Sequence, residues 1–142
     1  MPIIKMKKKK ILFVCKANHF RSVVSEKILK EYRKDMTIKS AGLEVKKVQR
    51  TSANASRNAA RYGINIKWHR CRQLTAEMAK DSDKIYVFES AHKNYIENKF
   101  PRSKGKVNVI HAHEDLKGKP PEAHTRFIKD MRIILKKLSK KL

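Results

Sequence analysis

The segment "FVCKANHFRS", residues 13–22, places a thiol and a guanidinium six positions apart, at Cys15 and Arg21. A thiolate is a strong nucleophile, and the arginine fork can grip two oxygens of a tetrahedral oxyanion. If the chain between them curls its backbone N–H groups inward before a helix, the resulting nest binds anions and favours the thiolate. These features suit attack of sulfur on the phosphorus of a phosphate ester. The loop that would cradle the phosphate consists of Lys16, Ala17, Asn18, His19 and Phe20, and the hydroxyl of Ser22 follows it.

This spacing also arises by chance, in which case Cys15 would be a buried core thiol and Arg21 a solvated helix residue. The surrounding elements favour the chemical interpretation. Residues 10–15 form a short apolar run typical of a strand buried on both faces, and helical spacing of apolar residues begins near Ser22. Ligands of parallel sheets gather where strands end and helices begin, which is where Cys15 lies.

Strands and helices alternate along the chain. Strands are predicted at 10–15, 37–42, 83–90 and 106–113, and helices at 22–34, 52–63, 91–100 and after Pro120 and Pro121 to the end. The last helix has an apolar face made of Phe127, Met131, Ile134, Leu135 and Leu138. The pattern predicts an α/β fold, a three-layer sandwich with a four-stranded parallel sheet covered by helices on both faces. The phosphate loop would follow the first strand.

The totals indicate one domain, 1–142, because 142 residues with 40% hydrophobic content enclose one core. Residues 1–9 are expected to form a flexible basic N-terminus. No apolar stretch is long enough to cross a bilayer and no secretory signal is recognisable, so a cytoplasmic protein is expected. Two cysteines without a C-x-x-C pair agree with a reducing compartment and with the absence of a metal site.

The formal net charge is +23. Such a charge attracts nucleic acid, acidic lipid or phosphorylated partners, and it does not choose among them. The basic residues are spread along the chain, so nucleic acid is open as a partner but is not expected as the main one.

Six ordered segments resemble the low-molecular-weight protein tyrosine phosphatase family. "FVCKANHFRS" is similar to its loop V-C-x-G-N-x-C-R-S, and "IKSAG" to its D-S-A-G. "RYGI" resembles H-G-I, and "HRCRQL" resembles H-x-A-R-Q followed by I or L. "VFESAHKNYI" is similar to M-D-x-S-H-x-x-x-L, and "EDLKGKP" to D-P-x-G-x-P. The resemblance covers nearly the whole chain and implies the same four-stranded fold.

The resemblance also implies residue roles. Cys15 would be the nucleophile that becomes a phosphocysteine, Arg21 would bind the phosphoryl oxygens, and Asp115 would be the general acid. Glu114 is the substitute if the register is off by one, and a turn-capping aspartate is the plain alternative for Asp115. The supporting network of the loop would comprise Asn18, Ser22, Ser40 and His69. No cofactor is implied.

Four departures from the family pattern concern the loop and the general acid. Ala17 replaces the loop glycine, which would strain the backbone if the position needs a positive φ. Phe20 replaces the second loop cysteine, so the protective disulfide of many members should be absent. Leu116 replaces the proline after the general acid. His19 matches neither the aliphatic residue of tyrosine-type members nor the threonine of arginine-type members.

The sequence therefore predicts a cysteine-dependent phosphatase that hydrolyses phosphomonoesters, with phosphotyrosine or another phosphorylated protein residue as substrate. Two alternatives are open. One is a catalytically weak phosphate- or nucleic-acid-binding protein of the same fold. The other, an arsenate reductase, would need two further redox cysteines where only Cys71 is present.

Overall fold

The computed structural model describes residues 7–46, 51–110, 116 and 119–142. It contains a four-stranded, all-parallel sheet with strand order β2-β1-β3-β4. The strands are β1 (Lys10–Cys15), β2 (Thr37–Gly42), β3 (Lys84–Val87) and β4 (Val107–Val109). The predicted α/β architecture is confirmed, and the first two strands have the predicted bounds.

Five helices cover the sheet: α1 (Arg21–Tyr32), α2 (Ala53–Ala60), α3 (Ala76–Asp81), α4 (Ser90–Lys99) and α5 (Pro121–Ser139). Side chains of β1 alternate between two cores. Ile11, Phe13 and Cys15 pack in the core that also contains buried residues of α1, α2 and α5. Leu12 and Val14 pack in the core shared with α3 and α4. This alternation follows from the two-residue period of a strand and yields the three layers.

The predicted apolar face of α5 is confirmed. Phe127, Met131 and Leu135 are fully buried, while Ile134 and Leu138 are partly buried against the same core. Arg33 stabilises the C-terminal end of this helix. Its Nη1 donates to the main-chain oxygen of Ser139 at 2.7 Å and to that of Leu142, beyond the helix, at 2.8 Å. A cation at these carbonyls satisfies acceptors that the helix itself leaves open.

Several boundaries differ from the prediction. Helix α1 ends at Tyr32, two residues early, and Ser90 begins α4 where a strand was expected to continue. Helix α3 was not predicted, because six residues with a single buried apolar side chain, Ala79, carry no readable period. Helix α4 stops before Pro101 as expected, and a 3-10 turn, Pro101–Ser103, follows it.

Other predictions fall partly outside the described residues. Positions 1–6 of the N-terminal segment do so, and Lys7, Lys8 and Lys9 are exposed and have no regular secondary structure. Strand β4 ends at Val109, whereas the prediction extended it to 113, and 111–113 are not described. The limits of the domain stay a prediction. None of the described helices has both the length and the apolar character needed to cross a membrane.

Candidate active site

The loop 16–20 joins the carboxyl end of β1 to the start of α1. Cys15 is 3% exposed at the strand end, and Arg21 is 3% exposed in the first turn of the helix. Phe20 precedes the helix, and no side-chain hydrogen bond caps this end. The first amides of α1 are therefore available to an anion that lies above Cys15, as the helix dipole favours.

A directed chain of hydrogen bonds ends at the sulfur of Cys15. Asn18 Oδ1 accepts from the backbone N–H of Arg72 at 3.0 Å, which fixes the orientation of the amide. Asn18 Nδ2 therefore donates to Ser22 Oγ at 2.8 Å. Ser22 in turn lies 3.0 Å from Cys15 Sγ. Since Ser22 already accepts a hydrogen bond from Asn18, its own hydrogen can point to the sulfur and stabilise a thiolate.

His69 extends this chain. Its Nε2 lies 2.8 Å from Asn18 Oδ1. The pKa of His69 is lowered to about 4, mainly by burial; Glu26 acts in the opposite direction, and Arg72, Lys27 and Lys30 contribute to the lowering. The ring is therefore neutral at pH 7 and carries its proton on Nε2, because Asn18 Oδ1 can only accept.

Asn18 has a left-handed backbone conformation with φ of 58°. Asparagine tolerates this region better than most residues. The carbonyl oxygen of Asn18 accepts from the thiol of Cys71 at 3.1 Å, so both its backbone and its side chain are held. Burial raises the pKa of Cys71 to about 11, and nearby Cys15 adds to the shift, so Cys71 stays a thiol and a donor.

The condition for strain at Ala17, a positive φ, is not met. Among the described non-glycine residues only Asn18 has a positive φ, so Ala17 occupies an ordinary conformation. The crowded position lies beneath it, at Gly42. A Cβ on Gly42 would lie 2.8 Å from Val45 Cγ2 and 3.0 Å from both Ala17 C and Asn18 N. Glycine at the end of β2 thus lets the loop backbone rest directly on the strand.

Arg21 is anchored by a residue that the sequence analysis missed. Its Nη1 donates to Glu89 Oε2 at 2.8 Å, and His92 Nε2 lies 3.3 Å from the same oxygen. Glu89 follows β3, which pairs with β1. The rule that site residues follow the carboxyl ends of parallel strands was a signal that could have found it.

Ser40 does not contact the chain of hydrogen bonds that ends at Cys15. Its hydroxyl donates to Glu26 Oε1 at 2.7 Å, and Lys30 Nζ donates to the other carboxylate oxygen at 2.8 Å. Glu26 was also missed by sequence reasoning, although it is 4% exposed and lies one helical turn after Ser22. Ser40 and Glu26 join β2 to α1 beside the loop.

The remaining predicted loop residues form its outer side. Lys16 is exposed, with its Nζ 3.9 Å from Glu44 Oε2. His19 is half-buried. Phe20 is buried, and its ring contacts those of His124 and Phe127 at centroid distances of 4.8 Å and 5.8 Å. Phe20 therefore ties the loop to α5.

The predicted general acid, Asp115, and its substitute, Glu114, lie outside the described residues. Leu116 is described and is partly buried against the core that contains Cys15. Both cysteines of the chain are free thiols. In the described part of the chain, no three His, Cys, Asp or Glu side chains converge as metal ligands.

Comparison with known proteins relates this geometry to a family. The model of the family described as low molecular weight phosphotyrosine protein phosphatase matches residues 10–122. The chain is 34% identical over 100 residues to the low molecular weight protein-tyrosine-phosphatase Etp of Escherichia coli, covering 70% of this chain and 68% of Etp.

Solved structures agree. The Erwinia amylovora tyrosine phosphatase AmsI superimposes with a TM-score of 0.89 at 28% identity, over 96% of this chain and 94% of AmsI. The YwlE arginine phosphatase of Geobacillus stearothermophilus superimposes with a TM-score of 0.86 at 25% identity, over 94% of this chain and 92% of YwlE. The chain therefore belongs to the low molecular weight protein tyrosine phosphatase family, and it is a cysteine-dependent phosphatase.

Proposed function

We propose that Cys15, Arg21 and Asp115 hydrolyse phosphorylated protein residues through a phosphocysteine intermediate. The observation that carries this proposal is the hydrogen bond between Cys15 Sγ and Ser22 Oγ, whose atoms lie 3.0 Å apart. Ser22 Oγ also accepts a hydrogen bond from Asn18 Nδ2. A hydroxyl donor directed at the sulfur stabilises the nucleophilic thiolate and lets it serve as a leaving group.

The reaction proceeds in two displacements. In the first, the thiolate of Cys15 forms an S–P bond while the bond from phosphorus to the substrate oxygen breaks. Asp115 gives its proton to that oxygen, and Arg21 binds two oxygens of the transferring phosphoryl group. In the second, water forms a new O–P bond, its proton passes to Asp115, and the S–P bond breaks to return the thiolate and release phosphate.

The burial of Arg21 and its contact with Glu89 support its role. The guanidinium is nearly buried and is held by Glu89, so it loses little conformational freedom when a phosphoryl group binds. A planar fork fixed in this way binds two oxygens with defined geometry. Glu89 accepts a hydrogen bond from Nη1, which is one of several N–H donors of the guanidinium group.

The proposed substrate is phosphotyrosine in proteins. This choice is supported by family membership and by relatives such as Etp, which are named protein-tyrosine phosphatases. Because His19 matches neither type of family member, phosphoarginine is an alternative substrate, as the name of the YwlE arginine phosphatase suggests. A panel of phosphotyrosine, phosphoarginine and phosphoserine peptides tests the choice; a kcat/KM highest for phosphoserine would contradict it.

The two free thiols support a reducing, cytoplasmic setting.

The test of the mechanism uses para-nitrophenyl phosphate at about pH 5–6, close to the range where one carboxyl can act as acid and then as base. The wild-type protein is expected to release nitrophenol and to yield a phosphorylated Cys15 peptide after rapid acid quench and mass spectrometry. Cys15→Ser is expected to abolish release while still binding vanadate. Cys71→Ser is the matched control and should still form the phosphoenzyme.

Two results would contradict the proposal. Turnover that survives in Cys15→Ser would exclude the thiolate as nucleophile. Vanadate binding without turnover by the wild-type protein would indicate a phosphate-binding protein instead. Arsenate reduction is the weaker alternative, because Cys71 is the sole other thiol and is fully buried.

A further inference from the structure

A second concave surface lies beside the supporting network of the loop. It is a cleft of about 470 Å³ that we call the Trp68 cleft. Its wall is formed by residues of α1 and of the segment 65–72, namely Glu26, Lys27, Lys30, Asn65, Trp68, His69, Arg70 and Arg72, so it shares His69 with the supporting network. The Trp68 cleft contains none of the residues proposed to touch the substrate phosphate.

The positive charge of this cleft is only partly neutralised. Its single carboxylate, Glu26, is 6% exposed at its side chain and is already bound by Lys30 and Ser40. Within the described residues, Lys27, Arg70 and Arg72 make no salt bridge. Three cations around one concavity, with no counter-ion among the described residues, create a field that attracts a polyanion.

Two of these cations, Arg70 and Arg72, are exposed because they alternate with buried residues. In the segment 69–72, His69 and Cys71 are buried beneath the loop while Arg70 and Arg72 are exposed. The inward residues are fixed by their bonds to Asn18. The outward arginines therefore project from a rigid support, which is the condition for a preorganised binding surface.

Trp68 adds an aromatic surface to the same cleft. It is the only tryptophan of the chain and is 62% exposed, which is unusual for the largest aromatic side chain. Lys67 Nζ lies 5.2 Å from the ring centroid, so a cation already lies over the ring. Asn65 contributes an amide that can both donate and accept.

We propose that the Trp68 cleft binds single-stranded nucleic acid. Unpaired cations suit the phosphate backbone, and an exposed ring at the edge of a basic cleft is a stacking platform for a base. An acidic peptide would use the cations but would leave the ring without a function. A lipid surface is flat and does not fit a concave cleft. The net charge of +23 favours encounter with nucleic acid.

The experiment uses the full chain carrying Cys15→Ser and an oligothymidylate of about 12 nucleotides, long enough for one compact site. Binding is followed by quenching of Trp68 fluorescence and by anisotropy of a labelled oligonucleotide. We expect log K to fall with log salt with a slope of about −2 to −3, since three or four cations release counter-ions at about 0.7 each. Trp68→Ala, followed by anisotropy, should weaken binding about tenfold.

Charge reversal and a matched control complete the test. Lys27→Glu combined with Arg70→Glu should reduce the magnitude of the salt slope by about 1 or more. The control is the other exposed aromatic with a lysine over its ring, Tyr95 with Lys99 Nζ at 5.5 Å, on α4. Tyr95→Ala combined with Lys99→Glu should bind the oligonucleotide as the parent does.

Three outcomes would overturn the proposal. The first is no saturable quenching of Trp68 at about 50 mM salt, where electrostatic binding is strong. The second is equal loss of affinity in the Trp68 cleft variants and in the α4 control, which would indicate diffuse charge attraction. The third is displacement of the oligonucleotide by polyglutamate of equal charge at equal concentration. None of these outcomes bears on phosphatase turnover.

Discussion

Glu89 Oε2 lies 2.8 Å from Arg21 Nη1. This ion pair joins Glu89, two residues beyond the end of β3, to the first turn of α1. The arginine proposed to hold the phosphoryl group is thus positioned by a carboxylate 68 residues later in the chain. Glu89 is 34% exposed at its side chain, while Arg21 is 3% exposed. This carboxylate therefore helps to fix the position of a nearly buried cation.

Replacing this carboxylate should impair catalysis. Glu89→Ala is expected to lower kcat/KM for para-nitrophenyl phosphate by about tenfold or more, because small displacements of a positioning group cost that much. Glu89→Gln keeps an acceptor oxygen and should lose less. Vanadate inhibition should weaken in parallel, since Arg21 binds that oxyanion too. Glu44→Gln, at an exposed pair with Lys16, is the control and should change kcat/KM by less than about twofold.

A methyl group at Gly42 should disturb the loop from below. Gly42→Ala places a Cβ 3.0 Å from backbone atoms of Ala17 and Asn18, so the loop must shift and kcat/KM should fall about tenfold. Gly63→Ala is the matched control. Its Cβ would meet nothing within 4 Å, but its φ of +78° strains alanine, so about 1 kcal/mol of stability should be lost with activity retained. Unchanged activity in Gly42→Ala would contradict the close packing of loop and strand.

Stability should fall in mild acid because of His69. The pKa of this histidine is about 4 in the folded protein and 6.5 in its reference state, so the unfolded chain binds the proton first as pH falls. The free energy of unfolding should be fully retained above about pH 6.5 and should decrease by up to about 3 kcal/mol as pH approaches 4. Urea denaturation at several pH values measures the slope.

The variant His69→Gln should lack this component of the slope, because glutamine does not titrate. His124→Gln, which leaves His69 in place, should keep it. If wild-type protein and His69→Gln lost stability in parallel between about pH 6.5 and 4, the titration of His69 would not be the cause.

The role proposed for Asp115 predicts a dependence on the leaving group. Asp115→Ala should slow hydrolysis of phenyl phosphate by about 100-fold more than that of para-nitrophenyl phosphate, since only the poorer leaving group needs the proton. Glu114→Ala is the control for the register. Equal losses on both substrates in Asp115→Ala would assign the general acid elsewhere.

Much of the fold was predictable from the sequence because β1 is a short apolar strand, β2 is closed by Gly42 and α5 has a clear helical period. The elements that were mispredicted are those with weak periods. Helix α3 has six residues, and the end of β3 at Val87 is set by the turn into α4 rather than by a change in hydrophobicity.

The candidate site was predictable where its residues are close in sequence, as in the loop 16–20 with Cys15 and Arg21. Glu89 and Glu26 were missed because their function depends on contacts that only the folded chain creates. The condition for strain at Ala17 is not met for a related reason. The left-handed residue is Asn18, and hydrogen bonds from His69, Arg72 and Cys71 hold it there.

The segment 69–72 has a buried face that contacts the loop and an exposed face that contacts solvent. Side chains at 69 and 71 are buried beneath the loop and bound to Asn18, so a substitution that removes either hydrogen bond should disturb the loop, whereas Cys71→Ser keeps a donor. Side chains at 70 and 72 face outward, and Arg72 serves the loop only through its backbone N–H, which most residue types could supply. The outer side chains can therefore carry surface chemistry of their own without changing the hydrogen bonds that hold Asn18, so one segment of four residues contributes both to the reaction centre and to the Trp68 cleft.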